Sequence, residues 1–390
     1  MNETAPKLVD NAVARKRRRL RKKAGRILAV ALFLAGLMLI IFRHDIDYYS
    51  IKLRMAALMR TGEGAGELVE IPLSFDMSGK TACAANKENL VLLSQSRLAV
   101  YRKDGTASLD EAVALGNPNI VSSDSRFIAF DRGGKDLLIC SGVSVIERFS
   151  AERPIIDADI GDGGWYAVAE EDPEFRAVVT LYNSYGKPAY VWKLASSYLA
   201  AVRVDSGGRM VVAGFDVADG GLNSTVTVLE RTKEEPAIVI ELPDELVVSL
   251  RLQSGVITVV TDRRVVSFDG RTGEQKAVYE AGDSELLGVS MDSSGSTALL
   301  LSRYAVGGGG ALVMLDGRLS QTGLAQTDRE VRYLSCAAGR TAIVYDGGGA
   351  VYDQSGGLVT ETLLSGVKAV LVTHSGRVIF VQTDKMTTTN

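Results

Sequence analysis

One pattern limits this chain more than any other. From Glu67 onward, short runs rich in Val, Ile, Leu and Tyr alternate with Gly/Asp/Ser/Asn turns on a period of about forty residues. The segments SSDSRFIAF (122–130), IGDGGWYAVA (160–169), VDSGGRMVVA (204–213), LQSGVITVV (252–260), MDSSGSTALLL (291–301), CAAGRTAIVY (336–345) and VTHSGRVIFV (372–381) share one grammar. A strand runs into a tight turn, and a strongly hydrophobic strand runs out. ANKENLVLLS (85–94) reads as an earlier copy without glycine. A second hairpin follows in several copies, as in LAVYRKDGTAS, LVMLDGRLS and AVYDQSGGLVT. Four strands per about forty residues is the signature of a propeller blade, which buries its two faces only against neighbouring blades.

The expected fold class is therefore an all-β propeller of about eight four-stranded blades, with seven as runner-up and a pair of β-sandwiches third. The propeller is assigned to 67–383. After the last copy only QTDKMTTTN remains, too polar and short for two more strands, so 384–390 is expected to be a polar tail. ELVEIPLSF (67–75) alternates like a strand and has no local partner. It is expected to complete the final blade, closing the ring by joining its termini.

Charge is distributed unevenly. Residues 1–26 carry a net charge of +8, leaving −11 for the remainder of a chain whose formal total is −3. The basic run Arg15, Lys16, Arg17, Arg18, Arg19, Arg21, Lys22 and Lys23 precedes ILAVALFLAGLMLIIF (27–42), which has no charge. At ~1.5 Å per residue such a segment spans a somewhat thin hydrocarbon core, with Arg26 able to snorkel. No small-residue cleavage site follows, so it reads as an uncleaved signal anchor rather than a signal peptide. The basic tail 1–26 then stays cytoplasmic and the C-terminal domain is extracellular at the plasma membrane. Residues 43–66 form a juxtamembrane stalk and linker. The lipid bilayer is the partner of 27–42, and an acidic exterior argues against nucleic acid.

Two of the second hairpins carry a further cue. Tyr182–Trp192 (YNSYGKPAYVW) and Phe268–Tyr279 (FDGRTGEQKAVY) resemble the repeat of quinoprotein-like propellers, in which a glycine ends the turn and an aromatic residue packs between blades. The whole arrangement resembles a family of single-pass membrane-anchored propeller proteins of clostridial Gram-positive bacteria with WD40-like repeats. That resemblance implies a fold and a location but brings no known activity.

Little in the chain points to catalysis. Of two histidines only His374 falls in the repeats, in a hairpin turn, without a nucleophile motif beside it. Cys83, Cys140 and Cys336 lie in strand-like runs and read as buried small hydrophobes, one disulfide plus a free thiol being the alternative. Asp157, Asp159 and Asp162 in DADIGDGG form the best metal-like cluster, but the spacing fails the EF-hand pattern and turn chemistry is preferred. No cofactor or metal is expected.

If both hairpins of each repeat turn on one rim, the connections between them share the other. These vary more in length, as binding loops do. Glu170, Glu171, Asp172, Glu174, Asp216, Asp219, Asp244, Glu245, Asp283 and Glu285 would then form an acidic face. The expected role is a binding scaffold or sensor for a protein, peptide or cell-wall component through that rim. The alternative is an extracellular carboxylate-dependent hydrolase of glycan or peptide.

Overall fold

The computed structural model describes residues 68–389 except 219, 220, 294 and 303–308. Among the described residues no helix is long and apolar enough to cross a membrane. The expected transmembrane segment 27–42, the basic residues 15–23 and the stalk 43–66 lie outside the described residues.

Strands β1 (Leu68–Pro72) to β32 (Lys385–Thr389) form eight four-stranded antiparallel sheets. Each is one blade. The innermost strands of blades 1 to 8 are, in order, β2 (Thr81–Asn86), β6 (Pro118–Ser122), β10 (Ile155–Ile160), β14 (Tyr198–Val204), β18 (Val247–Gln253), β22 (Leu286–Met291), β26 (Val331–Ala337) and β30 (Val367–Val372). Inner strands lie side by side from β2 through β18 and from β22 through β30, Arg251 of β18 bonds to Gly295 and Ser296 just beyond β22, and β30 lies beside β2, so the ring closes.

The uninterrupted hydrophobic runs follow from this stacking. A second strand of a blade is buried on both faces, so alternation sorts its side chains between two interfaces rather than between core and water. In β3 (Asn89–Ser94), Leu90 and Leu92 pack against blade 8, whereas Val91 and Leu93 pack against blade 2. In β11 (Tyr166–Glu170), Tyr166 and Val168 face blade 2, and Ala167 and Ala169 face blade 4. The core is thus divided into eight apolar layers, one between each pair of neighbouring blades.

The repeat cues have physical counterparts. Gly186 and Gly273 hold φ of 74° and 78° where their hairpins turn, a conformation that a Cβ disfavours. Trp192 and Tyr279 pack between blades. In the glycine-free first copy, Lys87 takes the left-handed position itself, at φ 53°.

The closing blade has the order β1-β32-β31-β30, where β31 is Val378–Gln382, with Leu68 opposite Thr389 and Pro72 opposite Lys385. The N-terminal strand therefore completes the last blade as expected. One expectation needs correction: the stretch assigned as a polar tail, 384–390, contains the strand β32, Lys385–Thr389. Met386, Thr387, Thr388 and Thr389 are buried in β32, and the Thr388 hydroxyl donates to Val378 O at 2.9 Å. Threonine suits a strand, and its hydroxyl is satisfied by a neighbouring backbone carbonyl, so a run that looks hydrophilic is interior.

Candidate functional site

In blades 1 to 7 the first and third turns fall on one rim, here called the hairpin rim, and so does the first turn of blade 8, whose fourth strand is β1. The second turn and the link to the next blade fall on the opposite rim, the connection rim. An axial cavity of about 660 Å³ opens at the hairpin rim and is lined from all eight inner strands or their turns, among them Cys83, Ser122, Asp159, Arg203, Arg251, Ser290, Cys336 and His374.

The polar groups around this cavity hold the ring together. Asp159 Oδ2 accepts the Val204 N–H at 2.7 Å and Asp157 Oδ2 accepts the Val202 N–H at 3.3 Å, linking blades 3 and 4. Arg203 Nε donates to Leu250 O at 2.8 Å, linking blades 4 and 5. Arg251 donates to Gly295 O at 2.9 Å and Ser296 O at 3.1 Å, linking blades 5 and 6. Ser290 Oγ accepts the Cys336 N–H, and Ser335 Oγ accepts the Val372 N–H, each at 3.0 Å, which carries the stitching through blades 7 and 8. Asn86 donates to Ser123 O at 2.8 Å, joining blades 1 and 2. Asp162 accepts the Asp124 N–H at 2.8 Å, joining blades 2 and 3.

The seam between blades 8 and 1 is held by Glu88, which accepts the Ser375 N–H at 2.9 Å and the Ser375 and Thr373 hydroxyls at 2.7 and 3.0 Å. Arg377 donates to Glu88 O from the same seam. Inner strands of a propeller leave one backbone edge without a sheet partner, and these side chains satisfy part of it.

Sequence reasoning reached some of these residues for another reason. Asp157 and Asp159 are strand residues that hold the next blade, not turn formers as expected, whereas Asp162 does sit in a hairpin turn. Nothing local in the sequence reveals the latches, because their partners lie about one repeat away. A recurrent polar residue facing the axis in each repeat is the signal that would have found them. Burial holds the Asp159 carboxyl up at about 6, with Arg203 pulling it down and the Asp157 charge adding to the rise. The three cysteines are free, and burial pushes their thiols up to about 12.

The expected acidic face maps to the connection rim. Glu170, Glu171, Asp172 and Glu174 lie in or beside the turn after β11, and Asp216 lies in the extended hairpin of blade 4. Asp244 and Glu245 precede β18, and Asp283 and Glu285 precede β22; Asp219 is outside the described residues. They are not equivalent. Glu245 is buried against Arg264 in a two-pronged pair at 2.7 and 3.1 Å, so it is part of the wall. Asp172 caps its own turn through the Glu174 and Phe175 N–H groups, which hold its carboxyl below the usual carboxylate range. Glu171, Glu174, Asp244, Asp283 and Glu285 are exposed, and none forms an ion pair among the described residues.

Comparison with solved structures places the fold in known company. The chain is similar to BamB from Moraxella catarrhalis at 11% identity, covering 84% of this chain and 99% of that one with a TM-score of 0.54. It is similar over the same shares to the C-terminal WD40 domain of Sif2, at 13% identity and a TM-score of 0.61. The computationally designed Ika8 protein matches equally widely, at 12% identity and a TM-score of 0.62. Identities this low show a shared fold alone. No curated protein matches the sequence. A family model does, over residues 69–390, which takes in the N-terminal strand, all eight blades and the closing strand: the chain belongs to the family of unknown function DUF5711.

Proposed function

We propose that this protein is a membrane-anchored extracellular propeller acting as a binding scaffold or sensor for a protein or peptide. The observation that supports it is the division of labour between its polar groups. Around the axial cavity Asp159, Arg203 and Arg251 are engaged in linking blades, whereas the connection rim carries exposed carboxylates without ion-pair partners among the described residues. Groups engaged in holding a ring are poorly free to reorganise during a reaction, and loops that vary in length between repeats are free to recognise. The basic run at 15–23 before the apolar segment 27–42 supports the anchored, outward-facing placement.

Protease treatment of intact cells followed by cross-linking tests the reading. Shaving of the propeller from outside and recovery of a protein partner are expected. A propeller protected until lysis overturns the extracellular placement. The alternative hydrolase draws on one observation, a carboxyl held at about 6 in a cavity beside a second carboxylate. It requires glycan or peptide hydrolysis that Asp159→Asn abolishes.

A further inference from the structure

The connection rim carries a second feature besides acidity. Inner strands of blades 3 to 8 begin with a register shift; in blades 3 and 4 the extra residue, Ile156 or Ala200, packs against the core, whereas in blades 5 to 8 it turns outward: Val248, Leu287, Arg332 and Lys368. A bulge re-aims the side chain it carries, and bulges gather where a surface is used. In blades 5 and 6 the re-aimed residues are aliphatic, with Val248 50% and Leu287 52% exposed. In blades 7 and 8 the same position is cationic.

Blade 4 extends the apolar side. Tyr198 opens its inner strand 48% exposed, stacked on Phe215 at 5.7 Å between ring centroids, with the Arg176 guanidinium 4.6 Å from its own ring centre. Val217, 72% exposed, stands on the hairpin that prolongs blade 4 on this rim. The apolar residues fall in three consecutive blades on one rim, and Glu171, Glu174, Asp244, Asp283 and Glu285, which form no ion pair among the described residues, come from the loops leading into or lying beside those blades. An apolar arc framed by carboxylates selects apolar side chains on a cationic chain.

Resting on the scaffold reading, we propose that the connection-rim mouth over blades 4 to 6 is the docking surface for a cationic peptide segment with apolar side chains, presented by a protein partner. The apolar side chains seat on Tyr198, Val248 and Leu287. The Lys or Arg groups of the partner meet the carboxylates, and Lys368 repels them from blade 8, Arg332 of blade 7 being paired with Asp346 at 3.6 Å. Apolar contact supplies affinity, and charge supplies orientation and rate of encounter.

The test places a photoreactive benzophenone side chain in the full-length protein in cells, at Val248 and separately at Tyr185, which is 84% exposed on the hairpin rim. Cross-linked peptides are sequenced. The proposal expects a Val248 adduct to a net-basic, apolar-rich segment of another protein. In isolated membranes, raising salt from 0.15 to 0.5 M should reduce its yield about fivefold or more, since exposed charges are screened within ~8 Å already at the lower value. Glu171→Lys with Glu174→Lys should do the same. Leu287→Asp should abolish the adduct while thermal unfolding stays unchanged, which separates lost docking from lost folding.

An adduct at Tyr185 and none at Val248 overturns the docking surface and leaves the scaffold reading standing. A Val248 adduct to this same chain, to lipid alone, or to an acidic or salt-insensitive segment overturns the proposed partner. No protein adduct at either position overturns both.

Discussion

At the scale of single residues the molecule is governed by where its charges end up. The Asp159 carboxyl is held at about 6 against an ordinary value of 3.8, so between those pH values the folded protein retains a proton that the unfolded chain gives up. Stability therefore rises as pH falls through that window. Asp159→Asn removes this slope while keeping an oxygen for the Val204 N–H. The variant is expected to exceed the parent in stability at pH 7 by up to about 3 kcal/mol, with the gap closing near pH 4 in urea titrations. A gap independent of pH would show that the carboxyl is not raised. The thiols give a second check: with all three pushed up to about 12, a thiol-reactive reagent at pH 8 should label none until the protein is unfolded, and then three. At the seam, Glu88→Ala removes the acceptor for three donors from blade 8 and should cost about 1–2 kcal/mol by urea unfolding, because the side chain is partly exposed.

At the scale of elements, the closing blade shows what a strand contributes when it is the only partner of another. β1 is hydrogen-bonded to β32 alone, and β32 carries Met386 fully buried against Leu90, Leu92 and Ile379. Met386→Ala should cost about 2–4 kcal/mol, as cavity-forming core substitutions do. Deleting 384–390 should prevent a stable ring, read as loss of the β signal in circular dichroism. The same blade marks the limit of what the chain discloses before folding. Eight copies of a strand–turn–strand pattern spell out eight blades, and ELVEIPLSF could be assigned to the last because an alternating segment without a local partner needs a distant one. KMTTT could not be read as interior, because threonine is buried here only by virtue of acceptors such as Val378 O. The latches were equally hidden, since Asp159 and Val204 meet across 45 residues of sequence. The acidic residues of the connection rim could be grouped by counting turns, but only packing separates the buried Glu245–Arg264 pair from the exposed Asp283.

At the scale of the whole molecule, eight blades each lean on two neighbours and none has a core of its own. Unfolding should therefore be a single transition. Trp165 and Trp192 both belong to blade 3, so their fluorescence reports one sector while circular dichroism reports the ring. The two midpoints in urea should coincide, and Glu88→Ala, at the distant seam between blades 8 and 1, should lower both equally. A lowered ring signal with unmoved fluorescence would mean that blades unfold independently.

The way the chain enters the ring has a mechanical consequence. Leu68 is paired with Thr389 at the very point where the preceding chain joins β1, and five cross-strand pairs follow from Leu68 to Pro72. A pull on Leu68 along the strand loads all of those pairs together, whereas a sideways pull peels them one after another. Once β1 lifts, the buried Leu73, Phe75 and Met77 that follow it lose their anchor over blades 8 and 1. A sideways pull on β1 would thus open this ring at its seam under far less force than a pull along the strand, which makes the direction of tension a variable to which the closed propeller responds.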